Sequence, residues 1–365
     1  MHKTLVLLSV GVVVCALVLA GCGGGGGGSV PDMSSPLSPL TASTGPRTVD
    51  SQAAVSPGRY IVFVFVANRP EGPLYGDVYL YDRETGALDT LPAMNSGAHE
   101  AWPSISADGR YIAFNSDRPN GRGEYHVFLY DRSANSLDNL PGLNSTARDE
   151  FPSISADGRY IVFESTRAGG RHDTGIYLYD RMTDSVTSPP KLLPKGSAGV
   201  SRPSISGDAS YIAFQSGYQE RHLTYPVPRG WADVCLYNRA KRSLVALPGL
   251  KGPDFGPSWP SSDCYPAISG DGRYIAFESN RAGGAGDRDV YLYDCNRKAL
   301  VPLPGLNTTG YDGRPGISSD GRYIVLRGPW GYSDVRLYDC STGTLANVPV
   351  NPNPGGGSVE EPRLN

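Results

Sequence analysis

Carboxylates recur at a fixed place in this chain. Up to three residues ahead of a repeated proline stand Glu100, Asp149 with Glu150, Asp263, Asp312, and Glu360 with Glu361. The series breaks once, at Val200-Ser201-Arg202. Acids gathered in one place favour a bound cation or a basic peptide. Their other use is to accept hydrogen bonds from local turn amides. No loop has the EF-hand spacing, so calcium is a candidate on charge alone. A second group is aromatic and basic: Tyr218, His222, Tyr225, Arg229 and Trp231 in one stretch, Phe255 and Trp259 in another. Trp, Tyr and Arg dominate binding hot spots; the two stretches could equally pack on each other. A third series pairs Arg69 with Asp77 and Arg281 with Asp289 as expected ion pairs. The usual enzyme signatures are missing: there is no Gly-x-Ser-x-Gly, His-Glu-x-x-His or Cys-x-x-Cys. Beyond His2, the histidines are His99, His126, His172 and His222, with no ligand spacing. A hydrolase working through the acidic cluster, with a metal, is the enzymatic reading the residues leave open.

What must position these residues is a repeat. The pair Tyr-Ile recurs at Tyr60, Tyr111, Tyr160, Tyr211, Tyr274 and Tyr323, at spacings of 51, 49, 51, 63 and 49 residues. The fullest copy runs from Pro266 to Asn307 and parses into four strands. A short Pro-Ala-Ile-Ser strand is followed by a Gly-Asp-Gly turn, then Arg-Tyr-Ile-Ala-Phe. After a Gly-rich loop come Asp-Val-Tyr-Leu-Tyr-Asp and a last short strand. Asp and Gly supply the turn angles, and β-branched and aromatic residues the strands. Four strands every fifty residues is a propeller blade. The fold expected is therefore all-β, a six-bladed β-propeller of four-stranded antiparallel blades. Blade 1 starts at Gly58-Arg59-Tyr60 without a first strand. Residues 361–365 align with the lead-in to one, so the C-terminal strand is expected to join blade 1 and close the ring.

In this geometry the Asp-Gly turns share one face, here the bottom. The Gly-rich loops and blade connections share the other, the top. The carboxylate series is expected to ring the top mouth of the central channel. The two blade 4 stretches, 218–231 and 251–263, are expected on the same face.

The sequences Pro-Ser-Ile-Ser-Ala-Asp-Gly-Arg-Tyr-Ile-Val-Phe-Glu-Ser-Thr-Arg and Asp-Val-Tyr-Leu-Tyr-Asp-Arg resemble the WD40-like repeat of the TolB propeller family. The resemblance covers residues 57–365 and implies a propeller that binds protein or peptide at one face. The helical domain that TolB carries ahead of its propeller has no counterpart here. TolB's own role in its envelope system is therefore not carried over.

Ahead of the repeats, Leu5 to Leu19 is an almost unbroken apolar run, too short for a stable span. It ends Leu19-Ala20-Gly21-Cys22, which resembles a bacterial lipobox. Residues 1–22 are then a lipoprotein signal peptide, with Cys22 the lipidated residue of the mature chain. Gly23 after that cysteine implies the periplasmic side of the outer membrane. Residues 23–56, Gly/Ser/Pro-rich, read as a flexible tether reaching about 110 Å at full extension. The net charge of −3 gives no footprint for nucleic acid. The expected molecule is a monomeric envelope lipoprotein with a protein or peptide partner. Among the remaining cysteines, Cys235 and Cys264 near the top of blade 4 are the pair that geometry favours for a disulfide, while Cys295 and Cys340 sit too far apart.

Overall fold

The computed structural model describes residues 17–20, 58–67, 75–118, 125–167, 174–192, 199–217, 232–251, 261–328 and 335–349. They form six antiparallel sheets of four strands, each in chain order from the channel outwards. Blade 2 consists of Glu100–Ile105, Tyr111–Ser116, His126–Asp131 and Ser136–Asp138. Blades 3 to 6 repeat it. No helix among the described residues is long and apolar enough to cross a membrane.

The second strand explains the Tyr-Ile-x-Phe repeat. It lies mid-sheet between two neighbouring blades, so both of its faces are buried, as in Tyr111–Ser116 throughout. Alternate side chains serve different neighbours. Ile112 and Phe114 pack with Val62 and Val64 of blade 1, while Ala113 packs with Ile161 and Phe163 of blade 3. A large ring from one blade thus fits a small residue of the next, as close packing requires.

The Pro-Ser-Ile-Ser motif divides its work by position. The first Ser accepts a hydrogen bond from the next blade: Ile154 N to Ser104 Oγ is 3.0 Å and Ile205 N to Ser153 Oγ is 3.1 Å. The second closes the turn: Ser106 Oγ donates to Asp108 and accepts from Tyr111 N. The turn glycine has φ +71° at Gly109, a conformation open to Gly at little cost. A Cβ there would also overlap the ring of Tyr60 from the previous blade.

Three further ties run between neighbouring strands and blades. Along the bottom, Arg59, Arg110, Arg159, Arg273 and Arg322 bond Asp82, Asp131, Asp180, Asp294 and Asp339, the partner strand's last residue. Blade 4 has Ser210 and Asn238 instead. Arg132, Arg181 and Arg239 each donate to the turn carbonyl of their own blade and stack over the tyrosine of the preceding one. Inside the channel, backbone bonds run from Ala107 to Ala156, to Gly207, to Gly270, to Ser319, 2.8–3.0 Å each.

Ring closure departs from the expectation. The innermost place in blade 1 is held by Leu17–Ala20, paired antiparallel with Tyr60–Val62. The C-terminal strand was expected there; residues 361–365 lie outside the described residues. The apolar Leu-Val-Leu sequence of that run suits a sheet edge. Among the described residues, blade 1 also docks on blade 6 without any shared strand. Ile61 and Phe63 pack against Val325, Val335 and Val348, and Arg83 stacks 4.2 Å over the Tyr323 ring.

Candidate functional site at the channel mouth

In blades 2 to 6 the first strand carries a bulge around its proline. The pairing skips between Ala101 and Ser104, Ser201 and Ser204, Cys264 and Ala267, and Gly313 and Gly316. The residue before the proline adopts a left-handed conformation in all five blades: Trp102, Phe151, Arg202, Tyr265 and Arg314, at φ +51° to +53°. That region is unfavourable for large side chains, and proline restricts the residue before it further. The second strand of the preceding blade supports three of these backbones. Arg202 N donates to Glu164, Tyr265 N to Gln215 and Arg314 N to Glu278.

The bulge aims these five side chains at the axis. They line one cavity of about 60 Å³ together with the prolines behind them. Trp102 and Tyr265, three blades apart, stack across the channel at 6.2 Å and 18°. Phe151 meets Trp102 edge-on at 4.7 Å. The Arg202 guanidinium lies 4.1 Å from the Tyr265 centroid, 4.7 Å from Phe151 and 5.1 Å from Trp102. Arg314 flanks Trp102 and Tyr265 at 5.2 and 5.4 Å. Such contacts are worth about 0.5–2 kcal/mol each. Arg202 Nη1 is buried with no hydrogen-bond partner among the described residues.

The expected carboxylates are elsewhere. Glu100, Asp149, Asp263 and Asp312 are all but fully buried and none lines the mouth. Glu100 accepts from Ser96 and from Arg118, at 2.8 Å. Asp149 accepts from Ser145 and Arg167, and Asp312 from Thr308. Asp263 accepts from Arg281, at 2.9 Å. Burial pushes the Asp263 carboxyl up, against the pull of that guanidinium. Glu150 accepts from Arg148. Glu360 lies outside the described residues.

The arginines ending the second strands join this set. Arg118, Arg167 and Arg281 each bond a carbonyl of the incoming blade connection and the carboxylate, and each stacks on two rings of its own blade. The expected Arg281–Asp289 pair is therefore corrected: Arg281 turns inward to Asp263, where a buried charge needs a partner. Arg69 lies outside the described residues. In blade 6 the arginine is missing from its usual place, and Arg336 approaches Asp312 from the third strand at 3.7 Å.

The blade 4 candidates Tyr218, His222, Tyr225, Arg229, Trp231 and Trp259 all lie outside the described residues. The cysteine pairing is also corrected. Cys235 and Cys264 are both free, as are Cys295 and Cys340. Cys235 lies in the third strand of blade 4, while Cys264 lies in the first strand of blade 5 beside Ser262 Oγ at 3.2 Å. Burial pushes the Cys235 thiol up to about 11 and raises that of Cys264. Among the described residues no group of three His, Cys, Asp or Glu side chains could hold a metal.

Sequence reasoning stopped one residue short of the mouth. It followed the acids two and three places before each proline and passed over the position next to it. The signal was there: that position holds Trp, Phe, Arg, Tyr and Arg, large residues where the backbone needs a left-handed turn.

No family model matches the chain, and no curated protein matches it in sequence. Solved structures do. TolB from Acinetobacter baumannii superimposes with a TM-score of 0.56 at 19% identity, over 78% of this chain and 63% of that one. This chain thus spans less than two thirds of that protein's length. A TolB structure from Agrobacterium tumefaciens gives 0.55 at 17% identity, over 76% of this chain and 89% of that one. At these identities the likeness is one of fold, and the chain has the six-bladed propeller architecture that the TolB structures carry.

Proposed function

We propose that this propeller is a binding module that holds a protein or peptide at its top face, as part of a lipid-anchored protein of the bacterial envelope. One observation carries the reading. Five residues in a costly backbone conformation converge their aromatic and guanidinium groups on the channel mouth. Strain of this kind collects where a ligand is held, and these residue types are the ones that anchor interfaces. The likeness in fold to TolB supports the same reading. The lipobox-like Leu19-Ala20-Gly21-Cys22 supports anchoring through Cys22, on a tether long enough to let the ring work away from the membrane.

Cross-linked capture from detergent-solubilised envelope tests it. Three baits are compared: the wild-type chain, a mouth variant with Trp102→Ala and Tyr265→Ala, and a bottom-face variant with the exposed Met182→Glu. A partner held by the first and third baits and lost by the second supports the reading. Equal capture by all three, or none, overturns it.

A further inference from the structure

Resting on that reading, we infer that the feature recognised at the channel mouth is a carboxylate of the partner peptide. Among the described residues, those lining the mouth include two guanidinium groups, Arg202 and Arg314, and no acid. The carboxylates behind the wall are already engaged. Glu278 accepts from Arg288, from Tyr311 Oη and from Arg314 N, and Glu164 accepts from Arg202 N. The cationic side of the mouth is therefore complementary to an incoming anion.

Size is compatible with this group: the cavity of about 60 Å³ holds the volume of roughly two water molecules, and a carboxylate fits that space. The walls set its approach. Trp102, Phe151 and Tyr265 keep water from the guanidinium faces, and a charge-assisted bond strengthens as water is excluded. The planar, permanently charged fork of arginine suits two-oxygen recognition of a carboxylate.

Two sources of carboxylate fit this chemistry: an Asp or Glu side chain within a peptide, and a free peptide C-terminus. Two peptide arrays separate them. Both carry the same random-sequence peptides, one set anchored through the N-terminus with free C-termini, the other anchored through the C-terminus. The full-length chain is applied in wild-type form and as Arg202→Gln with Arg314→Gln. The conservative Arg202→Lys, Arg314→Lys pair is the second variant, in case the Gln pair does not fold.

Enrichment of Asp and Glu on both arrays places a side-chain carboxylate in the mouth. Preference for the free-C-terminus array, whatever the sequence, places a terminal one there. Either result should weaken at least tenfold in the Gln variant and weaken as NaCl rises, with the Lys variant intermediate. Peptides enriched without acidic character, held equally by wild type and variants, would overturn the carboxylate while leaving peptide binding standing. An absence of binding on both arrays would count against peptide binding itself.

Discussion

The turn residue Gly109 shows how one atom carries sequence into structure. It combines φ +71° with contact against the ring of Tyr60 from the blade before. Gly86 has the same φ with nothing within 4 Å of the Cβ position. The Gly86→Ala variant should therefore lose only the left-handed backbone penalty, about 1–2 kcal/mol. Gly109→Ala should lose about 1–2 kcal/mol more from overpacking. Urea melts of the two variants check the difference, and equal losses would show that the tyrosine contact is dispensable. The bottom carboxylates give a pH dependence. The Arg159 hydrogen bond outweighs burial and holds Asp180 below the ordinary range. Arg322 does the same for Asp339, more strongly. A carboxyl depressed on folding contributes stability above its unfolded value near 4, and loses it as pH falls through its folded value. The melting temperature should thus fall between about pH 4 and pH 2, and Asp180→Asn should make that fall shallower. An unchanged acid limb in the variant would show that this pair carries no linkage. The roles of Asp and Gly in these turns were legible in the sequence because both follow from local backbone preference. The fate of Glu100 and Asp263 was not, since it depends on Arg118 and Arg281 swinging in from another strand.

At the scale of elements, the blades are held together by a repeated tie, and the two exceptions are informative. Arg132, Arg181 and Arg239 reach the preceding blade's tyrosine, whereas blades 5 and 6 place Cys295 and Cys340 at that position. Burial pushes both thiols up to about 12, so they stay protonated. Restoring the repeat with Cys295→Arg should let the guanidinium stack on Tyr211 and raise stability by about 0.5–1 kcal/mol. A lower melting temperature would mean that the blade 4–5 interface has been repacked around sulfur. The strand parsing itself could be read from the chain, since six copies in register fix period, order and turn type. The start of the first strands could not. Sequence suggested that they begin at proline, while the structure begins most of them three residues earlier, because the bulge is invisible to an alternating pattern.

For the whole molecule, the ring is closed by more than one device. Removal of residues 1–22 takes away the Leu17–Ala20 strand but leaves Ile61 and Phe63 against Val325 and Val335, and Arg83 over Tyr323. Such a chain should still melt in one transition, at a lower temperature. Arg83→Ala in that background should lower it further, by about 0.5–2 kcal/mol of stability. Two separate transitions would show that the strand alone joins blade 1 to blade 6. The same N-terminal run shows what one sequence cannot decide. Its apolar residues satisfy a leader and a sheet edge equally well, and cleavage ahead of Cys22 would reopen the innermost place in blade 1.

The chain of backbone bonds from Ala107 to Ser319 narrows the lower channel to a space of about 30 Å³, lined by Ile105, Ile154, Ile205, Ile268 and Ile317. That is room for about one water molecule. The channel thus tapers from about 60 Å³ at the mouth to about 30 Å³ below, and among the described residues it offers a ligand one wider end. Titration by calorimetry should therefore reach a stoichiometry of one. Crowding of several rings on a membrane would then raise avidity by placing mouths side by side.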